Sequence, residues 1–194
     1  MATHDDRRGT MARLAVPVQL RWGDVDAYQH VNNAAMLQLL EEARIEAFWR
    51  HPDDEERRRA GSARAPRRKG SEARSAEHPD DAREDAWPTA VLDGGPGAEL
   101  ATLVARQEIE YLLPLEYRRT PVIVDLWIGR LGGASIDVCY EVRDDGEAPA
   151  VYARSTATIV LVEAATGRPR RITDEQRAAW EPYVDEPVVF RRRH

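Results

Sequence analysis

Residues 21–33 read RWGDVDAYQHVNN and separate a short strand-like segment from a long helix-like segment. Gly23 and the polar residues around it indicate a loop. Asn32 or Asn33 can cap the helix that follows, because asparagine side chains accept hydrogen bonds from first-turn N–H groups. The loop therefore puts two carboxylates, a histidine and two amides directly before the N-terminus of a helix.

The flanking segments predict one strand and one long helix. Residues 15–21 alternate weakly between apolar and polar positions, which favours a strand. The helix is expected to end at about Arg50. Its apolar residues cover a broad sector, so we expect a sheet to cover most of the helix. The central residues of that sector are Met36, Leu40, Ala43 and Ala47.

Strands dominate the second half of the chain. Short links such as Gly132-Gly133 join them, which favours an antiparallel sheet. A helix with strands on both sides predicts an α+β layer fold. Thr173 and Gln176 have the spacing of a capping box, which predicts a final short helix. The expected strands are Leu103–Tyr111, Pro121–Arg130, Ser135–Val142 and Val151–Val162.

Residues 51–86 contain no hydrophobic residue other than alanine, and their acidic and basic residues nearly balance. Such a segment cannot bury enough apolar surface to offset the entropy lost on ordering. We predict a disordered charged insertion that extends to about residue 97. The predicted organisation is a flexible N-terminus at 1–14, one domain at 15–172 that contains this insertion, and a short C-terminal helix and tail at 173–194.

Charge and composition argue against several classes of partner and location. The net charge of −6 argues against a general attraction to nucleic acid or to an anionic membrane. No apolar stretch approaches the roughly 18 residues of a membrane span. The polar N-terminus does not resemble a signal peptide. Cys139 is the only cysteine, so no intrachain disulfide can form. A cytoplasmic location is therefore expected.

The loop carries the groups that open a thioester. First-turn N–H groups of a helix lack partners and carry partial positive charge, so they can stabilise an oxyanion. A carboxylate a few residues upstream, such as Asp26, can lie across the carbonyl from them and attack it or activate water. Asp26 can instead simply cap the helix or fix the loop. Asp24 is expected to bond loop amides or Arg21. His30 can orient Asp26, touch the substrate or fill a hydrogen-bonded position in the loop.

A metal site is the alternative reading of this loop. Asp24, Asp26 and His30 are ligand types that can bind a divalent cation. No second ligand cluster occurs in the predicted strands, and a thioester is already a reactive acyl donor. No metal and no cofactor are expected.

The loop and three other segments resemble the 4-hydroxybenzoyl-CoA thioesterase branch of the hotdog superfamily. The resemblance covers about residues 16–162, apart from the insertion. It implies a hotdog fold, in which an antiparallel sheet wraps around the long helix, and it implies hydrolysis of an acyl-CoA without a metal. The matching segments are Asp24–Asp26, His30–Asn33, Glu41–Arg44, Ile109–Leu115 and Gly132–Ser135.

The resemblance also assigns roles. It implies that Asp26 is the catalytic base or nucleophile and that the backbone N–H of Asn33 is the oxyanion donor. His30 is the third candidate of the catalytic site. Dimers are expected to pair their sheets edge to edge, with active sites at the interface, giving a homodimer or homotetramer. Many relatives have glycine before the histidine where this chain has Gln29, which affects the expected geometry of the loop.

Coenzyme A, which counts as part of the substrate, brings phosphates that arginines can bind. The candidates are Arg168, Arg170 and Arg171, with Arg118 and Arg119 as others, although each group can also be ordinary surface. Two alternative functions remain at this point: hydrolysis of acyl-carrier-protein thioesters, and non-catalytic binding of acyl-CoA. A hotdog hydratase is disfavoured because its Asp-x-Asn-Pro-x-x-His segment is absent.

Overall fold

The structure is a computed structural model that describes residues 12–50, 87–94, 97–146 and 148–191. Its strands and helices follow the predicted order. A 3-10 turn at Trp22–Asp24 follows the first strand, and another at Glu181–Tyr183 follows the last helix. The elements are β1 (Leu14–Val18), α1 (Asn33–Phe48), β2 (Leu100–Tyr111), β3 (Val122–Leu131), β4 (Ser135–Arg143), β5 (Val151–Glu163) and α2 (Asp174–Trp180).

The five strands form one sheet in the order β1-β3-β4-β5-β2, and every neighbouring pair is antiparallel. This confirms the predicted antiparallel sheet. Within the described ranges β2 pairs with β5 alone and forms one edge, with its first residue Leu100 opposite Glu163 and its last residue Tyr111 opposite Ala153. The end of β2 therefore lies beside the start of β5.

The core lies between α1 and one face of the sheet. Alternate residues of β3 and β4 are buried on that face, as period-2 patterning predicts. Each large apolar side chain buried in this way contributes roughly 1.5–3 kcal/mol. The helix buries its expected apolar residues and also Arg44, whose Nη1 lies 3.2 Å from the hydroxyl of Tyr140. That hydroxyl gives the buried guanidinium a polar partner inside the core.

The C-terminal segment crosses the opposite face of the sheet. Its backbone N–H at Asp185 donates to the carbonyl of Ile128, and the indole N–H of Trp127 donates to the carbonyl of Glu186 at 2.8 Å. Cys139 is buried on this face, and burial raises the pKa of its thiol. A buried thiol with a raised pKa packs as a small apolar side chain.

The insertion was predicted to extend to about residue 97, and this boundary is wrong. Residues 87–94 are packed against the domain, and Thr89 and Leu92 are buried. The Leu92 backbone exchanges hydrogen bonds with Phe48 and Arg50 at the end of α1. Trp87, Val91 and Leu92 add the apolar surface that the preceding charged segment lacks, and this explains the difference. Residues 51–86 and 95–96 lie outside the described residues.

The last helix begins as predicted. The Thr173 hydroxyl accepts the backbone N–H of Gln176 at 3.2 Å, and the Gln176 side chain accepts the backbone N–H of Thr173 at 3.0 Å. This confirms the capping box. None of the helices in the described ranges has the length and apolar character needed to cross a membrane.

Candidate active site

Asp24 braces the loop that precedes α1. Its side chain is buried, and Oδ2 accepts the backbone N–H of Arg21 at 2.7 Å. Its Oδ1 lies 3.5 Å from the Arg21 guanidinium, and its carbonyl accepts the backbone N–H of Asn32 at 2.8 Å. The expected structural role of Asp24 is therefore confirmed.

Asp26 is held by its own turn. Its Oδ1 accepts the backbone N–H groups of Tyr28 at 2.8 Å and His30 at 3.3 Å. Its backbone N–H donates to the His30 carbonyl at 2.8 Å. Oδ2 has no hydrogen-bond partner among the residues the structure describes. The loop thus fixes one oxygen of a half-buried carboxylate and leaves the other available.

Gln29 closes this turn in the left-handed region, with φ at 66°. Glycine adopts that conformation without steric cost, whereas a side chain brings Cβ too close to the backbone. The position at which many relatives have glycine thus keeps the conformation that glycine favours. Gln29 in place of glycine therefore strains the turn, but the turn keeps its conformation.

The start of α1 leaves one N–H available at the site. Asn32 is the N-cap, and its side chain accepts the backbone N–H of Ala34 at 2.8 Å. The first helical residue is Asn33, whose backbone N–H has no partner within the described part of the chain. Free first-turn N–H groups and the helix dipole favour negative charge at this point. The Asn33 N–H is thus a candidate oxyanion donor.

One cavity of about 320 Å³ joins these groups. It brings together all three predicted catalytic residues, Asp26, His30 and Asn33. The hydrogen bonds between His30 and Asp26 run through the His30 backbone. The lining residues are Asp26, His30, Val31, Asn33, Met36, Tyr111, Leu112, Leu113, Pro114 and Leu115.

Tyr111 is the cavity residue whose role the sequence left open. Its hydroxyl donates to the carbonyl oxygen of Asn33 at 3.1 Å. No local pattern in the sequence points to this contact, because Asn33 lies 78 positions away. The segment 112–115, which also lines the cavity, carried a signal in its resemblance to the family's second strand.

The predicted phosphate-binding arginines lie elsewhere in the chain. Arg168, Arg170 and Arg171 follow the end of β5, whereas the cavity adjoins its start. Ten residues of extended strand separate the two ends of the paired region, or roughly 33 Å. Arg170 lies 3.8 Å from Glu99, just before β2. The structure therefore does not bring these arginines to the cavity of the same chain.

Arg118, another candidate for phosphate binding, is already engaged. Its guanidinium donates to the carboxylate of Asp144 and to the hydroxyl of Tyr152. Both partners belong to the domain itself, so Arg118 stabilises the connection between β4 and β5.

Metal-ligand types do not cluster here. Across the described ranges, no three His, Cys, Asp or Glu side chains are grouped so that they could hold a metal ion. The carboxylate of Asp24 in particular is turned toward Arg21.

Comparison with known proteins identifies the family. A family model described as the thioesterase-like superfamily matches residues 20–180. The chain belongs to the thioesterase-like superfamily. As a member of this superfamily it is a thioester hydrolase, which confirms the resemblance seen in the sequence. None of the curated protein sequences gives a significant match.

Solved structures share the fold of this thioesterase-like chain. The probable thioesterase YbaW of Escherichia coli is 20% identical, with 88% of this chain and 98% of that chain covered and a TM-score of 0.55. A predicted thioesterase from Bacillus stearothermophilus is 20% identical, with 91% and 100% covered and a TM-score of 0.58. A Thermus thermophilus thioesterase, solved with coenzyme A and Zn, is 24% identical, with 86% and 91% covered and a TM-score of 0.52. The predicted hotdog fold is therefore confirmed.

Proposed function

We propose that the protein hydrolyses an acyl-CoA to a carboxylic acid and free coenzyme A, with Asp26 as the catalytic carboxylate. One observation carries this proposal: Asp26 and Asn33, the first residue of α1, line the same cavity. A thioester carbonyl in that cavity would have a carboxylate on one side and a positively polarised helix start on the other.

The chemistry follows from these two groups. The available Asp26 oxygen attacks the carbonyl carbon or takes a proton from an attacking water. Negative charge then develops on the carbonyl oxygen, where the Asn33 N–H stabilises it. General-base assistance contributes about 10²–10⁴ in rate, and one oxyanion donor about 10²–10³. The coenzyme A thiolate leaves when the C–S bond breaks. If Asp26 has attacked the carbonyl, water then hydrolyses the resulting anhydride, which releases the carboxylic acid and restores the carboxylate.

Coenzyme A is the proposed carrier of the acyl group. The Thermus thermophilus relative was solved with coenzyme A, which supports this choice. The described residues that line the cavity include no Arg or Lys, so the phosphates of coenzyme A need basic residues from elsewhere. The lone buried Cys139 suits the cytoplasmic location expected from the sequence.

A second copy of the chain offers the missing positive charge. The free edge of β2 can pair with β2 of another copy. Leu103 and Val104 on this strand are exposed, and a second copy would bury them. If the two strands run antiparallel along their full length, the start of the partner's β2 lies beside Tyr111. The arginines at 168–171 adjoin that start, because Arg170 lies beside Glu99. We propose that they bind the phosphates across such a dimer.

The test is thiol release from a panel of aliphatic and aromatic acyl-CoA thioesters. We expect Asp26→Asn to lose at least about 10² in kcat while its unfolding transition stays unchanged, because the substitution is nearly isosteric. Asp145→Asn, on an exposed turn, is the matched control and should retain full turnover. Undiminished turnover by Asp26→Asn would reject the catalytic assignment. Binding of acyl-CoA without thiol release would instead identify a non-catalytic binding protein.

A further inference from the structure

We propose that the Tyr111 hydroxyl is a positioning group for the oxyanion site at Asn33; this inference rests on the proposed function. Tyr111 is the last residue of β2 and lines the cavity opposite the start of α1. Its hydroxyl donates to the Asn33 carbonyl oxygen at 3.1 Å. The hydrogen bond therefore ties the first residue of the helix to the sheet.

The backbone N–H groups adjacent to Asn33 in the chain are hydrogen-bonded. The N–H groups of its neighbours are all used by the loop and the segment after β2, which leaves the Asn33 N–H as the free donor among these described residues. The bonds run from Val31 N–H to Leu115 O (2.7 Å), from Asn32 N–H to Asp24 O (2.8 Å) and from Ala34 N–H to Asn32 Oδ1 (2.8 Å).

The hydrogen bond from Tyr111 holds the Asn33 carbonyl from the sheet side of the cavity. The N–H and the carbonyl of Asn33 belong to one residue, so a fixed carbonyl limits how far the N–H can turn. Tyr111 is itself anchored opposite Ala153 of β5. Misplacing a catalytic group by about 1 Å can lower the rate about 10²-fold. The hydrogen bond from Tyr111 to Asn33 therefore helps to keep the Asn33 N–H oriented toward the oxyanion.

The state of the hydroxyl suits this role. Burial raises the pKa of Tyr111, so the hydroxyl keeps its proton and remains a hydrogen-bond donor at neutral pH. The residue is nevertheless 41% exposed, so packing by itself does not account for its position. A hydroxyl that only closed the pocket wall would influence substrate binding, whereas a positioning hydroxyl influences the rate of the chemical step.

The decisive variant is Tyr111→Phe, assayed with the best acyl-CoA from the panel. We expect kcat to fall about tenfold, the equivalent of about 1.4 kcal/mol. KM should stay within about twofold, because ground-state contacts of the ring are kept. The shape of the pH–rate profile should not change, since Tyr111 exchanges no proton with the substrate. Tyr183→Phe, in the turn after α2, is the matched control and should leave both constants unchanged.

Three results would overturn the inference. The first is an unchanged kcat in Tyr111→Phe. The second is a loss of kcat/KM that comes from KM alone, which would make Tyr111 only a wall of the pocket. The third is a fall in kcat that merely follows a loss of folded protein in thermal unfolding. A wild-type chain that releases no thiol from any substrate overturns the proposed function itself, and this inference with it.

Discussion

The backbone N–H of Gln29 lies 3.0 Å from the carbonyl oxygen of Asp26, and Gln29 closes this turn with φ at 66°. The same turn aims two further N–H groups at Oδ1 of Asp26. The orientation of the candidate catalytic carboxylate thus depends on a residue in a conformation that side chains avoid.

Replacing Gln29 by glycine should relieve that strain. We expect the free energy of unfolding to rise by about 1 kcal/mol, because glycine has no Cβ to clash in the left-handed region. The midpoint of urea unfolding, at an unchanged slope, measures the effect. Gln38→Gly, on the exposed side of α1, is the control and should lose about 1 kcal/mol. A Gln29→Gly chain no more stable than wild type would show that the turn carries no strain.

Replacement of residues 51–86 by a short Gly/Ser linker should leave the melting temperature within a few degrees or raise it slightly. Hydrogen bonds between Leu92 and the end of α1 already hold the two flanks together. A shorter loop also costs less closure entropy, by about 0.6 kcal/mol for each halving of its length.

The control for this deletion lies at its packed flank. Leu92→Ala should cost about 2–5 kcal/mol, because it empties a fully buried position. Thermal unfolding compares the two variants. A large loss of stability on deletion of 51–86 would mean that the segment packs against the domain.

Acid should weaken the contact between Arg118 and Asp144. Burial by itself would raise the pKa of Asp144, but hydrogen bonds from Arg118 and Tyr152 outweigh it and hold the pKa below the ordinary value of 3.8. For a carboxyl with a depressed folded pKa, the added stability is complete above the unfolded pKa and is lost as pH falls through the folded pKa.

The free energy of unfolding should therefore fall as the pH drops below about 4. Asp144→Asn should make that fall shallower, and Arg118→Gln should have the same effect because it removes the partner. Urea unfolding at a series of acidic pH values measures the slope. Equal slopes for wild type and both variants would contradict this account.

Gln107 should be replaceable with a gain in stability. Its Nε2 is buried and has no hydrogen-bond partner in the parts of the chain that the structure describes. A buried donor without a partner costs about 1–3 kcal/mol, so Gln107→Leu should raise the free energy of unfolding by up to that amount. Gln38→Leu, on the exposed side of α1, should change it by less than about 0.5 kcal/mol. Destabilisation by Gln107→Leu would reveal a partner for the amide.

Local patterns were enough to predict most of the framework. The alternation in β3, β4 and β5 depends on the side-chain period of two, and the caps of both helices depend on residues within three positions. β2 begins at Leu100, three residues before its predicted start. Leu103 and Val104 are exposed and the register shifts after Val104, so alternation is lost there.

Long-range contacts were beyond prediction. The buried guanidinium of Arg44 donates to the hydroxyl of Tyr140, which lies 96 positions away in the sequence. Tyr111 and Asn33 are similarly distant in sequence, so no local pattern links the end of β2 to the helix start. Asp26, His30 and Asn33 were found because they lie within eight residues of one another. The arginines at 168–171 have no such constraint, and their predicted contact with coenzyme A remains a prediction.

Helix α1 starts at the cavity and ends at Phe48, where the chain leaves for residue 51. Its sixteen residues span roughly 24 Å. Backbone hydrogen bonds join the two flanks at Arg50 and Leu92. The domain should therefore tolerate an insertion or a cut between them, at the end of α1 that is far from the cavity. A fluorescent reporter or a tethering domain can therefore be inserted at the end of α1. The inserted group would stay far from the reacting thioester of the same subunit.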